Sequence, residues 1–330
     1  MNSATAATPD LTLAQIRAAH VLLGDRVLKT PVLPLEGPSI EAAFAPGTRV
    51  LLKLELFQHT GSFKARGALV NALALDGAQR ERGICAISAG NHAIAAAWAA
   101  RAVGTSAKIV MKEGANPFRV AECRRHGGEI VFEPDFHAAF RRVEEIREKE
   151  GRTLIHPFEG LLTAQGTGTL GLEFIEQAPD LDAVIVPVGG GGLAAGLATA
   201  IRHVKPDCRM FGVEPFGADT MYRSFQAGSP QAIEQIDTIA DSLGSPYAKP
   251  ISFALCRASL EEIVRIEDAE MVAAMRFLAS HARLAVEPAG AAATAALLGP
   301  LRERLAGMRV GIIVCGSNIS AEAYAHLIGP

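Results

Sequence analysis

Short apolar runs alternate with helix-sized amphipathic stretches along much of the chain. In one block the apolar runs cover residues 84–88, 107–111, 129–133 and 153–157, at nearly even intervals. Each gap holds one helical pattern, at 91–103, 117–126 and 136–150. Strands spaced this way and bridged by helices predict βαβ units, right-handed crossovers and a parallel sheet. After this block the rhythm loosens. Strands are expected at 183–188, 210–214, 262–266 and 310–315, and helices at 193–203, 269–282 and 289–298. A further strand is expected at 48–56, ahead of the regular block, and a long loop rich in Pro, Gly and Ser at 242–253. The pattern therefore predicts an α/β protein with two parallel-sheet domains. Residues 84–160 form the smaller one, inserted into a larger, discontinuous domain of residues 1–83 and 161–330.

Composition narrows the class. The 330 residues are 49% hydrophobic and 20% charged, which provides a large core and excludes a disordered chain. Lys and Arg total 32 against 35 Asp and Glu, a net charge of -3, so nothing basic is available to attract nucleic acid or an anionic membrane. Aromatic residues make up only 5%, too few for base-stacking platforms. The five cysteines (Cys85, Cys123, Cys208, Cys256 and Cys315) are scattered, odd in number and free of CxxC spacing, which argues against a disulfide framework. Cys123 and His126 have CxxH spacing, but no second ligand pair accompanies them to make a zinc site. No leader pattern is read over residues 1–30 and no apolar stretch reaches membrane length, so a cytoplasmic protein is expected.

Three segments can carry chemistry. Gly189-Gly190-Gly191-Gly192-Leu193 follows a strand and opens a helix, where free amides and the helix dipole favour an anion such as phosphate. It lacks the Lys of a Walker loop, and by itself it is also compatible with a flexible turn. Lys64, in Thr60-Gly61-Ser62-Phe63-Lys64, has small and apolar neighbours that can lower an amine's pKa and make it a nucleophile. Most lysines, however, are simply solvated. Ser88-Ala89-Gly90-Asn91-His92 ends a strand and starts a helix, a place for a carboxylate or for an ordinary helix cap.

The order of these segments, with Cys315-Gly316-Ser317-Asn318 near the end, resembles the serine/threonine dehydratase and serine racemase family of fold-type II pyridoxal-phosphate enzymes. The resemblance runs over residues 16–328 and includes Lys53-Leu54-Glu55, Gly212-Val213-Glu214-Pro215 and Val286-Glu287-Pro288-Ala289-Gly290. It implies a cleft between two α/β domains holding pyridoxal 5'-phosphate. Lys64 would bind the cofactor covalently and later act as the base. Gly189, Gly190, Gly191, Gly192 and Leu193 would hold its phosphate, Asn91 its ring hydroxyl and Cys315 its ring nitrogen, with Phe63 packed on the ring. Ser88, Ala89, Gly90, Asn91 and His92 would take the substrate carboxylate. The implied reaction is β-elimination of water from L-threonine, L-serine or a related β-hydroxy amino acid, giving a 2-oxo acid and ammonia. A small-molecule amino-acid substrate and a homodimer are expected.

Several positions depart from the family pattern. Thr167 stands where the family has Gln, in Gly166-Thr167-Gly168-Thr169. The segment 238–257 differs from that of threonine dehydratases, which leaves hydroxyaspartate and phenylserine open as substrates. The resemblance places a divalent cation at Glu214 and the carbonyl of Ala218. Thr220 replaces the Asp that would complete the set, so weak or absent Mg²⁺ binding is expected. Ala89 stands where serine racemases carry a serine, which predicts elimination without efficient racemisation. No regulatory region follows the cofactor-nitrogen motif, so feedback control through one is not expected. The competing readings are a racemase, a β-replacement enzyme such as cysteine synthase, and a non-catalytic nucleotide-binding protein. The last would leave Lys64 and Cys315 without a role.

Overall fold

The computed structural model describes residues 10–329. The first nine residues, part of the stretch read as lacking a leader, lie outside that range. Ten strands run in chain order: β1 (Val32–Leu35), β2 (Arg49–Lys53), β3 (Ile84–Ile87), β4 (Ala107–Lys112), β5 (Gly128–Glu133), β6 (Thr153–Leu154), β7 (Ala183–Pro187), β8 (Arg209–Pro215), β9 (Glu262–Ile266) and β10 (Arg309–Ile313). They form two sheets, ordered β1-β2-β10-β7-β8-β9 and β5-β4-β3-β6. The smaller sheet is parallel throughout. The larger one is parallel except at its edge, where β1 pairs antiparallel with β2. Pro34 in β1 lacks a ladder donor, which an edge strand tolerates. Along β7, Val184, Ile185 and Val186 are fully buried, as befits a central strand covered by helices on both faces.

The regular block forms the smaller sheet and its helices Asn91–Ala102, Pro117–Arg125 and Phe136–Glu150. Two expectations need correction. The run at 153–157 pairs only over Thr153–Leu154, because Pro157 has no N–H to give and His156 folds the chain into a turn. There the His156 Nδ1 accepts the amides of Phe158 (3.3 Å) and Glu159 (3.0 Å). The loop expected at 242–253 ends early, because a helix starts at Pro250 and runs to Ser259. Its first turn is capped from far away: the Glu159 carboxylate accepts the amides of Ile251 (2.8 Å) and Ser252 (3.0 Å). No helix among the described residues is long and apolar enough to cross a membrane.

Helix Lys64–Leu73 ties the two domains together. It packs on helix Leu161–Gln177 on one side and on helix Asn91–Ala102 on the other. Leu69 and Val70 join the core of the smaller sheet, with Ile84, Ile109 and the alanines of helix Asn91–Ala102.

Candidate active site

Helix Leu161–Gln177 lies between helices Lys64–Leu73 and Gly192–Val204, at backbone contact distance. A methyl group on Gly166 would come within 2.6 Å of the Gly67 Cα, so only glycine fits there. This close packing brings Lys64 and Gly192 to the wall of one cavity, together with Phe63, His92, His156 and Thr167. Thr167 donates to the carbonyl of Gly192 (2.7 Å) and so steadies the start of that helix.

A buried ion network fixes Lys64 from below. The Arg66 guanidinium grips both oxygens of Glu55 (2.9 Å each) and reaches Glu173 (3.0 Å). Lys53 donates to Glu173 (2.5 Å), to Gln177 (2.7 Å) and to the Thr30 carbonyl (2.7 Å). The Lys53-Leu54-Glu55 segment therefore anchors the helix on which Lys64 sits.

Lys64 itself donates to the Pro157 carbonyl (2.6 Å), and its Nζ lies 5.0 Å from the centre of the Phe63 ring. Removal from water lowers its pKa to about 8, against the pull of Cys315 and Glu287. Burial lowers His92 to about 3 and His156 to about 4, with the charge of Lys64 adding to both, so both imidazoles are neutral at pH 7. His92 Nε2 bonds to the Ile155 carbonyl (2.9 Å), which requires the proton on that nitrogen.

Across the cleft a second network gathers. Asn91 donates to Glu287 (2.5 Å) and accepts from Asn318 (2.8 Å). Arg119 bonds Glu287 (2.9 Å), Asp241 (2.5 Å) and the Asn318 carbonyl (3.2 Å). Ser242 donates to Glu287 (3.2 Å). Burial pushes the Glu287 carboxyl up, with Arg119 opposing. Cys315 donates to the Ala289 carbonyl (3.4 Å), and burial pushes its thiol far above neutral, so it stays protonated.

The glycine loop closes the site. Gly191 adopts φ +91°, a left-handed conformation that favours glycine, and helix Gly192–Val204 begins without a side-chain cap. Its first amides and dipole are therefore available to an anion. A neutral-prone lysine, an uncapped helix start and a neutral thiol around one cleft fit pyridoxal phosphate. Asn91 adds an amide that can meet the ring hydroxyl. The structure places Phe63, Lys64 and Gly192 on one cavity wall, and the Phe63 amide donates to the Cys315 carbonyl (3.1 Å); Asn91 lies in the Glu287 network, and Leu193 is buried in the core of the larger sheet. In the loop before Asn91, Ser88 accepts the Gly90 amide (3.1 Å), while Ala89 offers only a methyl group.

The suggested cation position stands elsewhere in its bonding. Both Glu214 oxygens accept backbone amides, from Met221 (3.1 Å) and Tyr222 (2.7 Å), and Thr220 donates to the Ser245 carbonyl (2.6 Å). Ala218 ends the short turn Phe216–Ala218, ahead of helix Thr220–Ala227. Among the described residues no group of three or more His, Cys, Asp and Glu side chains is arranged to hold a metal. Sequence reasoning missed Arg119 and assigned no role to Glu287. Neither carries a local signal beyond an ordinary charged residue, although Glu287 sits in one of the segments that carry the resemblance.

The chain matches the family described as pyridoxal-phosphate dependent enzyme over residues 24–316. It is 48% identical over 326 residues to a phenylserine dehydratase from Ralstonia pickettii, covering 98% of each chain. It is 40% identical to an L-threo-3-hydroxyaspartate ammonia-lyase from a Pseudomonas species, covering 86% of this chain and 88% of that one. The structure of maize serine racemase superposes with a TM-score of 0.90 at 33% identity, covering 97% of this chain and 98% of the other.

Proposed function

This chain belongs to the pyridoxal-phosphate dependent enzyme family, among its dehydratases and ammonia-lyases, and from that premise we propose that it removes water from 3-hydroxy amino acids, releasing a 2-oxo acid and ammonia. Serine and threonine fall in this class, as do the phenylserine and 3-hydroxyaspartate for which its relatives are named. The observation that carries the reading is Lys64, an amine that shares one cavity wall with Gly192 of the glycine loop.

Bound pyridoxal phosphate supplies an electron sink that makes the substrate Cα proton acidic. Lys64 would hold its carbonyl carbon, the amides of Gly189 to Leu193 its phosphate, Asn91 its ring hydroxyl and Cys315 its ring nitrogen, with Phe63 against the ring. A thiol at that nitrogen stays neutral and leaves the ring a moderate sink, suited to prompt loss of the β-hydroxyl. The backbone of Ser88 to His92 orients the substrate carboxylate. The Lys64 amine, once free, takes the Cα proton on its Nζ. The C–O bond at Cβ then breaks, and the hydroxyl leaves as water with the proton that Lys64 took from Cα. One water is taken up again as the enamine product becomes 2-oxo acid and ammonia.

Three measurements test this, two on the purified holoenzyme and one on the apoenzyme. Borohydride reduction and peptide mapping should place the pyridoxyl group on Lys64, and a label on another lysine overturns the assignment. In the apoenzyme, about a tenth of Lys64 is neutral at pH 7 and half at about pH 8, so its reaction with an aldehyde should accelerate across that interval. A panel of serine, threonine, 3-hydroxyaspartate and phenylserine should yield 2-oxo acids. No product from any of them would overturn the reading.

A further inference from the structure

Three aromatic side chains without a part in the chemistry above gather beside the cavity, next to His156 of its wall. Phe140 lies on helix Phe136–Glu150 beside the smaller sheet. Phe158 follows Pro157 in the turn after β6, and Tyr247 ends the loop before helix Pro250–Ser259. Tyr247 stands between the other two, with ring centres 6.0 Å from Phe140 and 6.2 Å from Phe158 at tilts of 50° and 52°. His156 meets Phe158 edge to face at 4.6 Å. All three rings are half-buried, and none belongs to the hydrophobic clusters of either sheet among the described residues. In a chain with so few aromatics, a cluster outside the core calls for an occupant.

Its position says which one. The carbonyl that accepts the Lys64 amine belongs to Pro157, one residue before Phe158. The Phe158 ring also covers the glycine loop, where a methyl group on Gly190 would meet it at 2.2 Å. The cluster thus starts at Phe158, next to His156 and Pro157 of the cavity wall, and runs through Tyr247 to Phe140 beside the smaller sheet. It is also held in place. Glu159 binds the first amides of helix Pro250–Ser259, so the turn bearing Phe158 and the loop bearing Tyr247 are stapled together. The backbone around Tyr247 is pinned by Ala248 donating to Gln231 (2.8 Å) and by Ser245 donating to the Tyr247 carbonyl (2.9 Å). The rings are tilted and about 6 Å apart, the geometry aromatic pairs prefer, and each is only half-buried, so each keeps surface that a fourth ring can meet.

We propose that Phe140, Phe158 and Tyr247 receive an aryl group on the substrate Cβ, making this a dehydratase selective for 3-aryl-3-hydroxy amino acids. This rests on the dehydratase reading above and adds the substrate class. The charged alternative would use Lys249, whose Nζ lies 5.1 Å from the centre of the Tyr247 ring and could meet a β-carboxylate, because Arg119 is already held by Glu287 and Asp241. Three half-buried rings against one cation already seated on an aromatic face favour the aryl group.

The test uses holoenzyme of the wild type and of Phe140→Ala, Tyr247→Leu and Lys249→Ala. Phe158 is left intact because its ring packs on the glycine loop. In the wild type, kcat/KM for phenylserine should exceed that for serine. The phenylserine-to-serine ratio should fall about tenfold in Phe140→Ala and in Tyr247→Leu. Binding of L-phenylalanine, which has no hydroxyl to lose, gives a readout independent of turnover. It should bind the wild type at least tenfold more tightly than L-alanine, and lose that advantage in the two aromatic variants. Equal affinity for phenylalanine and alanine would overturn the aryl site. So would a preference for 3-hydroxyaspartate that disappears in Lys249→Ala. If phenylalanine binds through the cluster but no 3-hydroxy amino acid is turned over, the aryl site stands and the dehydratase reading falls.

Discussion

Arg66 and Arg119 are both buried and each holds two carboxylates, yet they sit in different electrostatic settings. Arg66 has no exposed side-chain surface, and its partners Glu55 and Glu173 are equally hidden. Lys53 supplies a second cation, so charges balance, and Thr30 satisfies further oxygens through its amide to Glu173 (2.9 Å) and its hydroxyl to Glu55 (2.6 Å). Arg119 instead reaches out from helix Pro117–Arg125, beside the smaller sheet, to Glu287, Asp241 and Asn318 on the other side of the cleft. Its partner Asp241 is 59% exposed, and one guanidinium faces two carboxylates. A closed, balanced network fixes geometry. A network with surplus negative charge at a domain boundary can exchange partners when a ligand enters, and Asn91, the residue expected at the cofactor ring, is one of its members.

The largest effect should follow from breaking the balanced network. Arg66→Met leaves two buried carboxylates with only Lys53 between them, which costs about 3–5 kcal/mol of folding stability. Urea denaturation followed by circular dichroism measures this directly. A loss under about 1 kcal/mol would show that the network relaxes easily and is not the rigid base described here.

Arg119→Met should separate the two networks. The Glu287 carboxyl is already pushed up by burial, so it can take a proton when its partner is gone, and Asp241 can turn to water. The stability loss should therefore stay near 1–2 kcal/mol. Function should suffer more, because Asn91 and Glu287 lose their shared clamp. A KM for the amino acid raised about tenfold, with the unfolding midpoint lowered clearly less than in Arg66→Met, is the expected split. A large fall in stability with unchanged KM would make Arg119 a second Arg66.

The difference between the networks also marks what could be read without coordinates. The βαβ rhythm from β3 to β6 was plain, because each apolar run and each helix is a contiguous pattern. Helix Leu161–Gln177 was not, since Gly166-Thr167-Gly168-Thr169 has a turn-like composition. Those residues serve helix–helix approach, and their partners Gly67 and Gly192 lie on other elements. Edge strand β1, with a proline in four residues, gives no alternation to detect. The Lys64 motif, the glycine loop, Asn91 and Cys315 were recognisable because each belongs to a local segment with a family pattern. Arg119 and the trio Phe140, Phe158 and Tyr247 belong to no such segment, and only the folded chain brings them to the cleft.

The smallest effect is expected beside Asn91, where the cleft network meets the substrate loop. Racemisation requires a proton donor on the face of Cα opposite Lys64, since a single base returns the proton to the side it came from. Ala89 occupies the place where the racemases this chain resembles carry a serine, and a methyl group has no proton to give. Ser88 lies one residue earlier, where its hydroxyl oxygen accepts the Gly90 amide at 3.1 Å and braces the loop. The wild type should therefore form pyruvate from L-serine while the remaining serine stays in the L configuration. Chiral chromatography of that serine measures the ratio, and D-serine accumulating as fast as pyruvate would defeat the argument. Ala89→Ser adds one oxygen at a half-buried position and removes no side chain of either arginine network. It should raise D-serine formation above the wild-type background and leave the unfolding transition where it was. If D-serine stays at background although the variant folds and eliminates normally, the missing hydroxyl is not what separates elimination from racemisation in this cleft.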